Sequence, residues 1–157
     1  MPKYLIHKIQ TLQNKAARIT QGISARSLDS ATLLRNMKWM PMQDLINYRI
    51  SCLVHQVVYT HKPEYIYKML IQNNNINTRN NLGNKLGSRP RNIGSTQYSK
   101  NQFIARAYDI YNVIPSIITS IENKQIFQKY LKKYYFNPSN LPDPKIFQIS
   151  GLLPGLK

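Results

Sequence analysis

At 157 residues, 42% of them hydrophobic, the chain is long enough for one domain with its own core, since domains of ~100–150 residues are the commonest. Twenty-two Lys and Arg against six Asp and Glu leave a net charge of +16, a field that draws polyanions, so nucleic acid and anionic membrane are the partners to weigh. A lone cysteine, Cys52, excludes an internal disulfide, as suits a reducing compartment, and no apolar run approaches the ~20 residues that cross a bilayer.

In chain order, residues 3 to 21 read as a helix. Leu5, Ile9, Leu12, Ala16 and Ile19 recur at helical spacing and are predicted to face the core. Lys8, Lys15 and Arg18 project beside that face, and Gly22 is placed to stop the helix in the left-handed conformation. Asp29 or Ser30 can cap a short second helix running through Met37. Trp39-Met40-Pro41 makes a corner, with Trp39 buried and Pro41 suited to the first turn of the next helix. From 42 to 60, Met42, Ile46, Ile50, Leu53, Val54, Val57 and Val58 keep to one stripe, the pattern of a central core helix.

Pro63 opens another short helix through Leu70, with Tyr65, Ile66 and Met69 turned inward. Composition changes at Gln72. From 72 to 101 the chain is rich in Asn and Gly, free of acid, and carries Arg79, Lys85, Arg89, Arg91 and Lys100. Asn and Gly favour turns, so this segment reads as a long basic loop, and loops of that length are either functional or disordered. Phe103, Ala107, Ile110 and Ile114 align at helical spacing until Pro115 ends the run. From about 122 to 135, Ile126, Phe127, Tyr130, Leu131 and Tyr134 share one side while Lys129, Lys132 and Lys133 occupy the other. After Asn137 four prolines argue for an extended tail. The fold class is therefore mostly α: one small domain over 1–136 of about five or six helices, with a flexible loop at 72–101, and a tail over 137–157.

Chemistry-bearing constellations are lacking. The carboxylates Asp29, Asp44, Glu64, Asp109, Glu122 and Asp143 are scattered, no two of them adjacent. A polymerase needs closely placed aspartates to hold two metal ions, so no catalytic residue is assigned. Cys52, His55 and His61 fall short of the four ligands, at recognisable spacing, that a structural zinc site uses. They read instead as a core cysteine beside surface histidines. No cofactor and no metal are expected. Tyrosines lie among the lysines of the last helix, a mixture that suits single-strand binding, although helical spacing assigns those tyrosines to the edge of the core.

Four blocks recur in a fixed order: Leu12-Gln13-Asn14-Lys15-Ala16-Ala17-Arg18-Ile19; Lys38-Trp39-Met40-Pro41-Met42; Phe103-Ile104-Ala105-Arg106-Ala107 running into Ile110-Tyr111-Asn112-Val113-Ile114-Pro115; and Phe127-Gln128-Lys129-Tyr130-Leu131-Lys132. Over residues 4 to 136 this series resembles the region downstream of the polymerase domain in reverse transcriptases of non-LTR (LINE-like) retrotransposons. That region has a Leu-Gln-x-Lys-Ala-x-Arg-Ile helix, a Trp-Leu-Pro-Leu turn, an Arg-x(4)-Trp-Asn-x-Leu-Pro box and a Phe-Lys-x-x-Leu-Lys helix. Pro63-Glu64-Tyr65-Ile66 stands where the family has Pro-x-Tyr-Leu. The chain departs from the pattern at Tyr111, where the family has Trp, and at Met40 and Met42, where it has Leu. Residues 1 to 28 are basic and acid-free, as mitochondrial presequences are, but the blocks account for the same residues better.

The resemblance implies a non-catalytic tail of an RNA-directed DNA polymerase, with the catalytic domain upstream of Met1 and an intracellular setting, nucleus or cytoplasm. Its partners would be RNA or DNA and the upstream polymerase domain, not a membrane. The phosphate-contacting candidates are Lys8, Lys15 and Arg18 on the first helix, Arg79, Arg89 and Arg91 in the loop, and Lys132 and Lys133 on the last helix. The alternative is a repurposed nucleic-acid-binding or protein-interaction module.

Overall fold

The computed structural model describes residues 3–24, 27–71, 86 and 103–136. Among them every regular element is a helix, so the fold is mostly α, with seven helices. They are α1 (Lys3–Gln21), α2 (Ser30–Asn36), α3 (Met42–Thr60), α4 (Glu64–Ile71), α5 (Phe103–Tyr111), α6 (Ser116–Thr119) and α7 (Lys124–Phe136). Apart from Leu86 the basic segment 72–101 lies outside the described residues, as does the tail 137–157. Two units are distinguished, Met1–Tyr48 and Arg49–Lys157, with the boundary inside α3.

In the first unit two helix ends build the core. The Gly22 N–H donates to the Ile19 carbonyl (3.1 Å) and the Ile23 N–H to that of Arg18 (3.1 Å), with Gly22 at φ 62°. This pair of bonds satisfies carbonyls the helix itself leaves unpaired. The same pair closes α2: Lys38 N–H to Arg35 (3.0 Å) and Trp39 N–H to Leu34 (2.8 Å), with Lys38 at φ 55°. Each motif delivers its following apolar residue, Ile23 and Trp39, onto the buried cluster of Ala17, Leu33 and Leu34. Trp39 is half-buried there. Asp29 caps α2, its carboxylate accepting from the N–H groups of Ala31 (3.1 Å) and Thr32 (3.3 Å).

Helix α1 has the predicted limits but not the predicted inner face. Ala17 is fully buried, while Leu12 and Ile19 are 64% and 81% exposed, and Ile9 and Ala16 are exposed too. The stripe turned inward is Ile6, Gln10, Gln13 and Ala17. Hydrogen bonds explain the choice. The Gln10 side-chain oxygen accepts from the Met42 N–H (2.7 Å), and the Gln13 amide donates to the Met40 carbonyl (2.8 Å). The proline corner therefore rests on the polar glutamines, which supply the partners its backbone groups require. Leu5 is half-buried.

In the second unit the C-terminal half of α3 buries Ser51, Val54, His55 and Val57. Val58 and the other apolar residues of the predicted stripe in this half, Ile50 and Leu53, are half-buried, as are Met42 and Ile46 in the first unit. Helix α3 ends on His61, at φ 57°, whose N–H donates to the Val57 carbonyl (2.9 Å). Helix α4 turns Ile66 and Leu70 inward, whereas Tyr65 and Met69, expected inside, are exposed. The inner face is fixed at the C-terminal end of α4, where the Tyr108 hydroxyl of α5 donates to the Leu70 carbonyl.

Helix α5 buries Ala105, Ala107, Tyr108 and Tyr111, leaving Phe103 and Ile110 half-buried. It stops at Tyr111 rather than at Pro115. Pro115 instead opens α6, its carbonyl accepting from the N–H groups of Ile118 (2.9 Å) and Thr119 (3.2 Å). A proline fits a helix start, because no intrahelical partner is needed there for the missing N–H.

Candidate nucleic-acid interface

The basic face of α7 is set by its cap and its anchors. Asn123 precedes the helix, its side-chain oxygen accepting from the N–H groups of Gln125 (2.9 Å) and Ile126 (3.2 Å). Phe127 and Leu131, one turn apart, are fully buried. That pins one side of α7 to the core, and Lys129, Lys132 and Lys133 are exposed on another side. The helix contains no acidic residue, so nothing along it neutralises the three ammonium groups. Lys129 belongs with the predicted pair Lys132 and Lys133, because spacings of three and four residues share a helix face.

Tyr130, Tyr134 and Tyr135 of α7 are half-buried, as helical spacing predicts for tyrosines at a core edge. The Lys133 ammonium stands 5.5 Å from the Tyr130 ring centroid, and the Tyr134 and Tyr135 rings meet edge to face at 5.6 Å. A cation held over a ring contributes about 0.5–1 kcal/mol at an exposed site, enough to orient Lys133 and too little to withhold it from a phosphate.

On α1, also free of acid over its length, Lys8 and Lys15 are exposed and two turns apart on one side. The Lys8 ammonium lies 5.9 Å from the Tyr4 ring centroid. Arg18 is different. Its guanidinium donates to the Ser30 hydroxyl (3.0 Å) and to the Ser24 carbonyl (3.4 Å), so it ties the end of α1 to the start of α2. Lys8, Lys15 and Arg18 belong to the first unit, and Lys132 and Lys133 to the second. Arg79, Arg89 and Arg91 lie outside the described residues.

Of the two histidines expected at the surface, His55 is not there. His55 is a core residue, 1% exposed. Its ring stacks on Phe127 at 3.7 Å between centroids and leans on Tyr59 at 4.6 Å. Nε2 is 2.6 Å from the Ile121 carbonyl, an acceptor only, so Nε2 carries the proton and Nδ1 is the bare nitrogen. Nδ1 is buried with no hydrogen-bond partner. Burial drops the His55 pKa to about 4, against a smaller upward pull from the Ile121 bond. Beside it the Tyr59 hydroxyl donates to the Thr119 carbonyl (2.9 Å).

Two donors from α3 thus satisfy carbonyls at and just beyond the end of α6. The sequence offered one signal for this: His55 follows the buried Val54 and precedes Val57 by two residues. Cys52 is half-buried and His61 exposed; the His61 ring lies 4.3 Å from that of Tyr67.

Two carboxylates serve local roles. Asp29 caps α2, and Glu64 pairs with Lys68 at 2.7 Å one turn along α4, an exposed pair of small energetic weight. Asp44 is half-buried, and desolvation raises its pKa. Among the described residues no three His, Cys, Asp or Glu side chains gather into a metal-binding group, and no helix is long and apolar enough to cross a membrane. No family model, no curated protein and no solved structure matches this chain.

Proposed function

We propose that this chain is the helical region that follows the polymerase domain of a non-LTR retrotransposon reverse transcriptase, and that it contacts RNA or DNA without catalysing a reaction. The ordered blocks support this reading, and their residues serve one another in the fold. Gln13 of the first block holds the Met40 carbonyl of the second. Tyr111 of the third and Phe127 and Leu131 of the fourth are core residues. Where the family has Trp, Tyr111 fills a fully buried position, so the substitution keeps an aromatic ring in the core.

The observation that carries the nucleic-acid reading is the exposure of Lys129, Lys132 and Lys133 on one side of an acid-free helix. Lysines so placed can neutralise successive phosphates without reading bases. Lys8 and Lys15 offer a second basic face. Binding to single-stranded RNA and to duplex DNA across a salt series tests the reading, which requires weak sequence preference and steep salt dependence. On a primed template with Mg²⁺ or Mn²⁺ the purified chain is expected to incorporate no nucleotide, because its carboxylates are not paired to hold two metals.

A second reading, a protein-interaction module, is favoured by one observation. Ile9, Leu12 and Ile19 of α1 lie at the surface.

A further inference from the structure

Helix α1 is amphipathic, yet the side it turns to its own domain is not the apolar one. Ile6, Gln10, Gln13 and Ala17 face inward, held by the bonds from Gln10 to Met42 and from Gln13 to Met40. About a third of a turn away, at ~100° per residue, Ile9, Leu12, Ala16 and Ile19 are exposed. Their spacing of three, four and three residues is that of a coiled-coil seam, in which each apolar residue inserts between four of a facing helix. Lys8 and Lys15 immediately precede Ile9 and Ala16, the places that flank such a seam and choose its partner by charge.

We propose that this face of α1 docks an amphipathic helix of another protein, one with an apolar seam of the same spacing and Glu or Asp on its flanks. The flanking charge selects the occupant. From Lys3 to Gln21 the helix has no acid, so a second copy packed antiparallel sets lysine against lysine, and one packed parallel sets lysine against Gln13 or Thr20. Only an acidic flank gives both lysines a partner. A bilayer is a poorer match, because a helix lying in a membrane interface needs a broad apolar face with bulky side chains. This seam is narrow and includes Ala16.

The test uses the full chain and a synthetic three-heptad peptide with leucine at its seam and glutamate at its flanks. Fluorescence anisotropy measures its affinity beside that of a peptide with the same flanks and a serine seam. The leucine-seam peptide is expected to bind at least roughly tenfold more tightly, since several apolar side chains leave water. The double variant Leu12→Ser, Ile19→Ser is expected to lose that advantage with its helical circular dichroism unchanged, because both side chains are largely exposed. Lys8→Gln with Lys15→Gln is expected to weaken binding roughly three- to tenfold, as two flanking ion pairs of ordinary strength would.

Equal binding of the two peptides, or an unchanged affinity in the serine variant, would overturn the proposal in favour of bulk charge attraction. Self-association abolished by the same variant would make a second copy the occupant. Uptake onto anionic phosphatidylserine vesicles, abolished in the same way, would make it a membrane. Absence of binding to either peptide would leave the seam without a function of this kind.

Discussion

Lys38 and His61 hold backbone angles of φ 55° and 57°, a region where a side chain costs about 1–2 kcal/mol and glycine little. Each sits where a helix ends and its N–H closes a bond back onto the last turn. Lys38→Gly is expected to stabilise the protein by about 0.5–1 kcal/mol, less than the full strain because glycine also loosens the unfolded chain. A urea midpoint shifted upward at unchanged slope would show it; a downward shift would mean the lysine side chain is needed. Only Gly22 of these three stops was legible in the sequence, because glycine advertises the conformation, whereas Lys38 and His61 are forced into it by the bonds around them.

Tyr111 is fully buried, its hydroxyl has no hydrogen-bond partner, and desolvation, with a smaller contribution from Tyr59, raises its pKa. Tyr111→Phe removes that unsatisfied group and is expected to stabilise by about 1 kcal/mol. His55 carries the pH dependence. Its pKa is about 4 folded against 6.5 as the ordinary value, so between these limits the unfolded chain binds a proton that the folded one refuses. Stability is then full above pH 6.5 and falls as pH drops toward 4, by about 3 kcal/mol at about 1.4 kcal/mol per unit. The His55 ring proton in an NMR titration is expected to keep its neutral shift at pH 5. A protonated shift there would contradict the buried placement.

Among the elements, helix limits were more legible than helix faces. The predicted 3–21 and 42–60 match α1 and α3, because apolar period and stop signals act along the chain. Which side of α1 turns inward could not be read that way. Apolar spacing pointed to Leu12 and Ile19, but the backbone groups of Met40 and Met42 needed partners, and Gln10 and Gln13 supply them. Pro115 misled for a similar reason, since a residue that ends one helix is equally able to begin the next. Gln10→Ala and Gln13→Ala are each expected to destabilise by about 1–2 kcal/mol, the usual loss when a backbone group is left unpaired. Trp39, the only tryptophan and next to the corner, reports the change. Its emission should shift to the red in the double variant, and an unchanged spectrum with unchanged stability would show that the corner stands without the glutamines.

At the scale of the whole molecule the sequence carries a charge of +16, and on α7 the buried anchors Phe127 and Leu131 leave Lys129, Lys132 and Lys133 outside. The sequence showed Lys132 and Lys133 with the correct exposure, since Phe127 and Leu131 alternate with them at helical spacing. It did not show that Arg18 is engaged by Ser24 and Ser30, a contact between residues whose pairing only the turn after α1 establishes. The measurement that bears most directly on nucleic-acid contact is the salt dependence of affinity for single-stranded RNA, compared between the native chain and Lys129→Gln, Lys132→Gln, Lys133→Gln. Each phosphate neutralised contributes about −0.7 to the slope of log K against log salt on a single strand. The triple variant is expected to lose about one to two units of slope while keeping its helical circular dichroism and thermal midpoint. An affinity that ignores salt, or a slope the triple variant leaves unchanged, would contradict a phosphate-binding face on α7.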